Sequence, residues 1–191
     1  MTKAKIDAQR LLGRLDAFAA IGATQGGGVN RQALSQEDRR ARQLLTELAQ
    51  ARGFTVYQDA IANLFVRRTG KDSSHAPFLM GSHLDSQITG GRFDGVLGTL
   101  AAFEVLEALE DAGIETPIAV EAVAWMNEEG CRYQPGCMGS MAFASGSIMP
   151  RMRLSSSLCA RTAARVLWLN PRISRPEMRS GGPVPGAAAT M

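Results

Sequence analysis

Two apolar runs flank one helical stretch, and each run breaks off into polar and acidic residues. "APFLMGSHLDS" is apolar from Phe78 and turns polar at Ser82, His83 and Asp85. "PIAVEAVAWM", residues 117–126, gives way to Asn127, Glu128 and Glu129. Short apolar runs of this kind read as buried strands. Between them, Gly95 to Ala112 has Leu97, Leu100, Ala101 and Val105 on one side and Glu104, Glu107 and Asp111 on the other, a helical pattern. Strand, helix, strand in that order implies a parallel pairing covered by helices. The expected fold is therefore α/β, a mostly parallel sheet flanked by helices. Ligands in open α/β sheets bind beyond the carboxyl ends of the strands. Both acidic clusters are thus expected on one rim.

The rest of the chain supplies further elements. From Lys3 to Ile21, Leu11, Leu15, Phe18 and Ala19 form a helical stripe, ended by the glycines of "GATQGGGVN". Ser35 is a good helix N-cap, with Glu37 and Asp38 in the first turn, where the helix dipole favours acids. Ala41, Leu44, Leu45 and Leu48 continue one face, and Gly53 stands where a helix-ending glycine belongs. "FTVYQD" and "NLFVRR" are short β-prone runs, and a short helix is expected over Met138–Ala144.

The chain has 191 residues, enough for one domain with a core. It contains no apolar run of membrane-spanning length and no apolar signal core near its start, which reads as a cytoplasmic protein with no membrane partner. Three cysteines, Cys131, Cys137 and Cys159, suggest free thiols in a reducing compartment rather than a disulfide framework. The net charge of +3 hides an asymmetry. Residues 1–149 hold 14 Lys and Arg against 17 Asp and Glu, whereas residues 150–191 hold 7 Arg against one acid, Glu177. The basic excess lies entirely in the tail, which has Trp168 as its one aromatic residue, so no nucleic-acid partner is expected.

"GSHLDSQITGGRFDGVLG", Gly81 to Gly98, gathers His83, Asp85 and Asp94 among five glycines. It has neither the dinucleotide-binding nor the P-loop pattern. Imidazole and carboxylate are the ligands of Zn²⁺ and similar ions, and His83 and Asp94 can offer them from one loop. Asp85, two residues on, is close enough to accept the other ring N–H of His83 and fix its tautomer. Glu128 and Glu129 are adjacent, so on extended backbone they diverge. One can hold metal while the other handles the proton of a water. Each piece alone has a plainer reading: a loop hydrogen-bond pair for His83, a solvated pair for the two glutamates, a turn or helix cap for Asp94. Their placement after two neighbouring strands is what favours a metal site. His75, in "KDSSHAP", reads as an exposed loop residue.

Together, "GSHLDS", "GGRFDGVLG" and "NEEGCRYQPGCMGSMAFASG" closely resemble the zinc-dependent hydantoinase/carbamoylase amidases. "ALSQEDRRARQLL" and "DAIANLFVRR" resemble the N-terminal segment of the same family, so that the likeness covers about residues 5 to 149. The resemblance implies an aminoacylase/carboxypeptidase-like two-metal hydrolase catalytic domain. It implies two divalent ions, zinc first, with manganese, cobalt or nickel as alternatives. On this pattern His83 binds the first metal, Asp94 bridges both and Glu129 binds the second. Glu128 is the general base and Asp85 orients His83. The implied reaction is hydrolysis of a non-peptide C–N bond in a small N-carbamoyl or ureido compound, N-carbamoyl-L-amino acid first and allantoate second.

Residues 150–191 depart from the pattern. Members of the family run to roughly twice this length, with two more histidine ligands and a small dimerisation domain after these motifs, and are homodimers. Here no histidine follows His83, and "MRLSSSLCARTAARVLWLNPRISRPEMRSGGPVPGAAATM" shifts to Arg, Ser, Ala and Pro. The expected division is a truncated catalytic domain over 1–149 and an atypical basic tail over 150–191, either out of frame or a disordered linker. That expectation carries two others: an inactive chain, and uncovered apolar faces on Val120, Val123 and Trp125.

Overall fold

The computed structural model describes residues 3–146. The tail expected over 150–191, with Cys159 and Glu177, lies outside the described residues. The chain order is α1 (Ala8–Ala20), α2 (Gln36–Ala51), β1 (Thr55–Gln58), β2 (Leu64–Arg68), β3 (Phe78–His83), α3 (Val96–Asp111), β4 (Val120–Trp125) and α4 (Met138–Ala144). The element expected at Met138–Ala144 is present with those bounds. Ser35 caps α2 as read, its side chain accepting from the Asp38 amide. Gly53 follows α2 with a φ of 77°, a left-handed position that suits glycine.

The four strands form one sheet in the order β1-β2-β4-β3. β3 and β4 run parallel, joined through α3, with Phe78 opposite Val120 and His83 opposite Trp125. The other two pairings are antiparallel. The class is α/β as expected, but the sheet is mixed rather than mostly parallel. The reason lies in the connections. A parallel neighbour needs a crossover of a dozen residues or more, and α3 provides one. β1 and β2 are separated by residues 59–63 alone, which suffices for a hairpin and for nothing longer.

Strand pleating sorts the side chains. Val56, Leu64, Val66, Val120, Ala122 and Ala124 face the main core with Phe18 of α1, Leu45 of α2 and Phe103 of α3. The opposite face carries Tyr57, stacked on Phe65 with ring centres 4.9 Å apart, and Trp125, which meets Phe65 and Phe143 of α4. β4 is an interior strand, so Val120 and Val123 are buried and Trp125 is half-buried. The apolar exposure expected at these three residues does not occur, because the helices of the main core cover Val120 and α4 packs on the opposite face against Trp125.

Both sides of α3 are buried. Leu100 and Phe103 face the sheet core, while Glu104 and Glu107 meet arginines of α1. Arg10 donates to Glu104 from Nε and Nη2 at 2.8 and 2.7 Å. Arg14 pairs with Glu107, and Arg52 at the end of α2 pairs with Asp111. A charged stripe thus holds three helices together, each buried carboxylate with a guanidinium partner.

Candidate metal and acid–base site

β3 and β4 end side by side, and their exits build the site. His83 is the last residue of β3, and Glu128 and Glu129 follow β4 by three and four residues. Asp94 stands just before α3, whose N-cap is Gly95 with no side-chain cap. The Asp94 carboxylate therefore does not cap the helix. It faces His83 Nε2 at 3.9 Å. Among the described residues, His83, Asp94 and Glu129 bring ligand-type atoms within 4.8 Å of one another. The sequence separates Asp94 and Glu129 by 35 positions; the parallel β3–β4 pairing closes that gap.

Glu128 lies beside the trio, its Oε2 3.3 Å from His83 Nε2. Asp85 is placed differently from expectation. The ring Nδ1 of His83 is 2.9 Å from the backbone carbonyl of Asp85 and 3.6 Å from its carboxylate. The carboxylate instead accepts the backbone amides of Glu128 and Glu129, each at 3.2 Å. Asp85 thus ties the β3 exit to the β4 exit. The acid pair is pinned from the other side too. Cys137, Met138 and Gly139 donate their amides to the carbonyls of Glu128, Asn127 and Met126. Asn127, in a left-handed conformation at φ 49°, donates its side-chain amide to the Tyr133 and Pro135 carbonyls.

Close approach requires glycine at one point. Gly95 has a φ of 68°, and a Cβ added there would run into the His83 ring. The glycine lets α3 start against the imidazole and sets Asp94 over its edge.

Burial favours the neutral form of His83, but the hydrogen bond and charge of Asp85, with Glu128 beyond, outweigh it and push the ring up to about 9. Such a crowd of carboxylates around one imidazole is a place for a cation. One oxygen of Glu129, Oε2, accepts from Gln87 Nε2 at 3.0 Å, while Oε1 is buried with no hydrogen-bond partner among the described residues. A buried carboxylate oxygen left unpaired is costly, and a bound cation would satisfy it. One imidazole and two carboxylates suit zinc and similar divalent ions. The residues present therefore fit a metal.

Gln87 and Cys137 escaped sequence reading. The Cys137 thiol donates to Glu128 Oε1 at 3.5 Å, which raises the thiol above its usual range. A glutamine nine residues before a helix and a cysteine in a loop carry no local signal of such contacts. Cys131 and Cys137 are exposed free thiols as read, and His75 is exposed on its loop, paired with Asp72.

Peptidase family M28 matches residues 63–158, half of the chain. An N-carbamoyl-L-amino acid amidohydrolase of Geobacillus stearothermophilus is 40% identical over 145 residues, covering 76% of this chain and 35% of its own length. The crystal structure of a hydantoinase/carbamoylase family amidase from Burkholderia ambifaria is 49% identical, with a TM-score of 0.74 over 76% of this chain and 36% of that one. A more distant relative is a ureidoglycolate hydrolase of Oryza sativa, 27% identical over 146 residues, 76% of this chain and 30% of its own length. The shared stretch contains every residue of the site described above. The chain belongs to Peptidase family M28, among its hydantoinase/carbamoylase amidases, and spans about a third of the length of the relatives it matches.

Proposed function

We propose that this chain supplies the first half of the active centre of a metal-dependent amidohydrolase acting on linear N-carbamoyl or ureido compounds, N-carbamoyl-L-amino acids first. The observation that carries the reading is the convergence of His83, Asp94 and Glu129 with Glu128 at their edge. The likeness to an N-carbamoyl-L-amino acid amidohydrolase supports the substrate class. The ureidoglycolate hydrolase relative favours ureido acids as the second class.

His83 Nε2, Asp94 and Glu129 would hold divalent ions, zinc first, with Asp94 serving two and Glu129 the second. When bound, such ions polarise a carbonyl and make water nucleophilic near neutral pH. Glu128 takes the proton of the attacking water and returns it to the leaving nitrogen. Water adds to the carbamoyl carbon and one C–N bond breaks, leaving a carbamic acid; loss of carbon dioxide from it breaks the second C–N bond, so that amino acid, ammonia and carbon dioxide are the products. Asp85 keeps Glu128 and His83 in register through the Glu128 amide and its own carbonyl. A cytoplasmic setting accords with the free thiols. Among the described residues no helix is long and apolar enough to cross a membrane.

The test is a chimera in which residues 3–146 replace the matching stretch of the Geobacillus relative. Ammonia release from N-carbamoyl-L-amino acids and from ureidoglycolate is followed with zinc or manganese present. Turnover of an N-carbamoyl-L-amino acid, lost on chelation, supports the proposal. A folded, metal-loaded chimera that is silent on both classes refutes it.

A further inference from the structure

Arg31 lies outside the catalytic set and is fully buried, 0% exposed, a rare state for an arginine. Among the described residues no carboxylate hydrogen-bonds its side chain; three backbone carbonyls do. Nη1 donates to Phe18 and Ile21 at the end of α1, at 2.8 and 2.9 Å. Nε donates to Leu84 at 2.6 Å. Its backbone completes the grip. The Arg31 amide donates to Ser86 Oγ at 2.8 Å, and the Ser86 amide donates to the Arg31 carbonyl at 2.9 Å. Arg31 therefore holds the chain on both sides of Asp85, at Leu84 and at Ser86.

Asp85 itself carries the contacts of the site. Its carbonyl serves His83, and its carboxylate serves the amides of Glu128 and Glu129. We propose that Arg31 is a positioning residue for the site, a buried strut from the end of α1 that sets Asp85 and, through it, the acid pair after β4. The link to metal rests on the function proposed above; the link to the acid pair does not.

The test separates the two. In the metal-free 191-residue chain, Arg31→Met and Arg31→Lys are compared with Leu45→Ala, a core change on α2 that takes no part in this hydrogen-bond network. Amide hydrogen exchange is read residue by residue. Arg31→Met should speed exchange at Ser86, Glu128 and Glu129 on the order of tenfold while β2 and β4 amides stay protected. Arg31→Lys, which keeps the cation but not the fork, should fall between. Leu45→Ala should loosen the core without singling out those three amides. Uniform acceleration in Arg31→Met, or no change at Glu128 and Glu129, overturns the inference. If Arg31→Met fails to fold, Arg31→Lys carries the same comparison. Zinc titration is the second arm. A zinc affinity about 10-fold weaker in Arg31→Met, with Leu45→Ala unchanged, extends the strut to the metal site. Local exchange changes without any zinc binding by the parent chain leave the strut standing and remove the metal reading.

Discussion

The carboxylate of Asp85 accepts the backbone amide of Glu128 at 3.2 Å, across 43 residues of sequence. With the equal bond to the Glu129 amide, one side chain on the β3 exit sets two acids on the β4 exit. Removing it frees both amides. Asp85→Ala should weaken zinc binding about 10–100-fold, the usual cost of losing a ligand's supporting contact. Asp85→Asn, which keeps one acceptor oxygen, should lose less. Calorimetric titration reads both, and equal affinity in Asp85→Ala and the parent would remove Asp85 from the site.

Gly95→Ala places a Cβ against the His83 ring at a residue with left-handed backbone. The strain alone is worth about 1–3 kcal/mol. Urea denaturation should show that loss, and zinc binding should weaken with it. An unchanged midpoint would mean that α3 can shift away from the imidazole without cost.

Glu107→Ala leaves Arg14 and Arg52 facing an empty place between α1, α2 and α3. Breaking one side of a buried ion pair costs about 3–5 kcal/mol. The same denaturation assay measures it. A loss under about 1 kcal/mol would show these pairs to behave like surface contacts.

Asp111 gives a pH signature. Hydrogen bonds from Arg10 and then Arg52 hold its carboxyl below the usual range. A folded value below the unfolded one stabilises above the unfolded pKa of about 4 and is lost as pH falls through the lower folded value. The side chain is 44% exposed, so screening limits the effect to about 0.5 kcal/mol. Asp111→Asn should therefore cost that small amount at neutral pH and nothing at an acid pH where the carboxyl is protonated in both states. The same loss at both pH values would assign it to packing instead.

Glu128→Gln, in the chimera, should keep its metal and lose turnover by about 10²–10⁴-fold, the usual share of acid–base help. Elemental analysis and ammonia release are read on one sample. A near-normal rate would take Glu128 out of the mechanism.

Local signals were legible wherever the cause was local. Ser35 caps α2 because its own oxygen reaches the Asp38 amide three residues on. The β3–α3–β4 unit was readable because a helical crossover forces a parallel pair, and that pair brings His83 and Asp94 to Glu128 and Glu129. The sheet order was not, since nothing in "NLFVRR" says that it will pair antiparallel with a strand more than 50 residues away. The stripe Glu104, Glu107 and Asp111 was visible as polar, but the burial of Glu104 and Glu107 depends on Arg10 and Arg14, which lie more than 90 residues from them. The Asp85 carboxylate shows the same limit. Two residues from His83, it is better placed by the fold for amides 43 and 44 residues away.

The central claim is that side chains from two strand exits and one helix start form a metal site. Zinc titration of the 191-residue chain, alongside His83→Ala, Asp94→Ala and Glu129→Ala, tests it most directly. The account predicts zinc uptake by the parent and affinity at least about tenfold weaker in each variant, with Asp94→Ala the most damaging because Asp94 is the residue proposed to serve two ions. Undiminished zinc binding in all three variants, or no uptake by a folded parent, would contradict it.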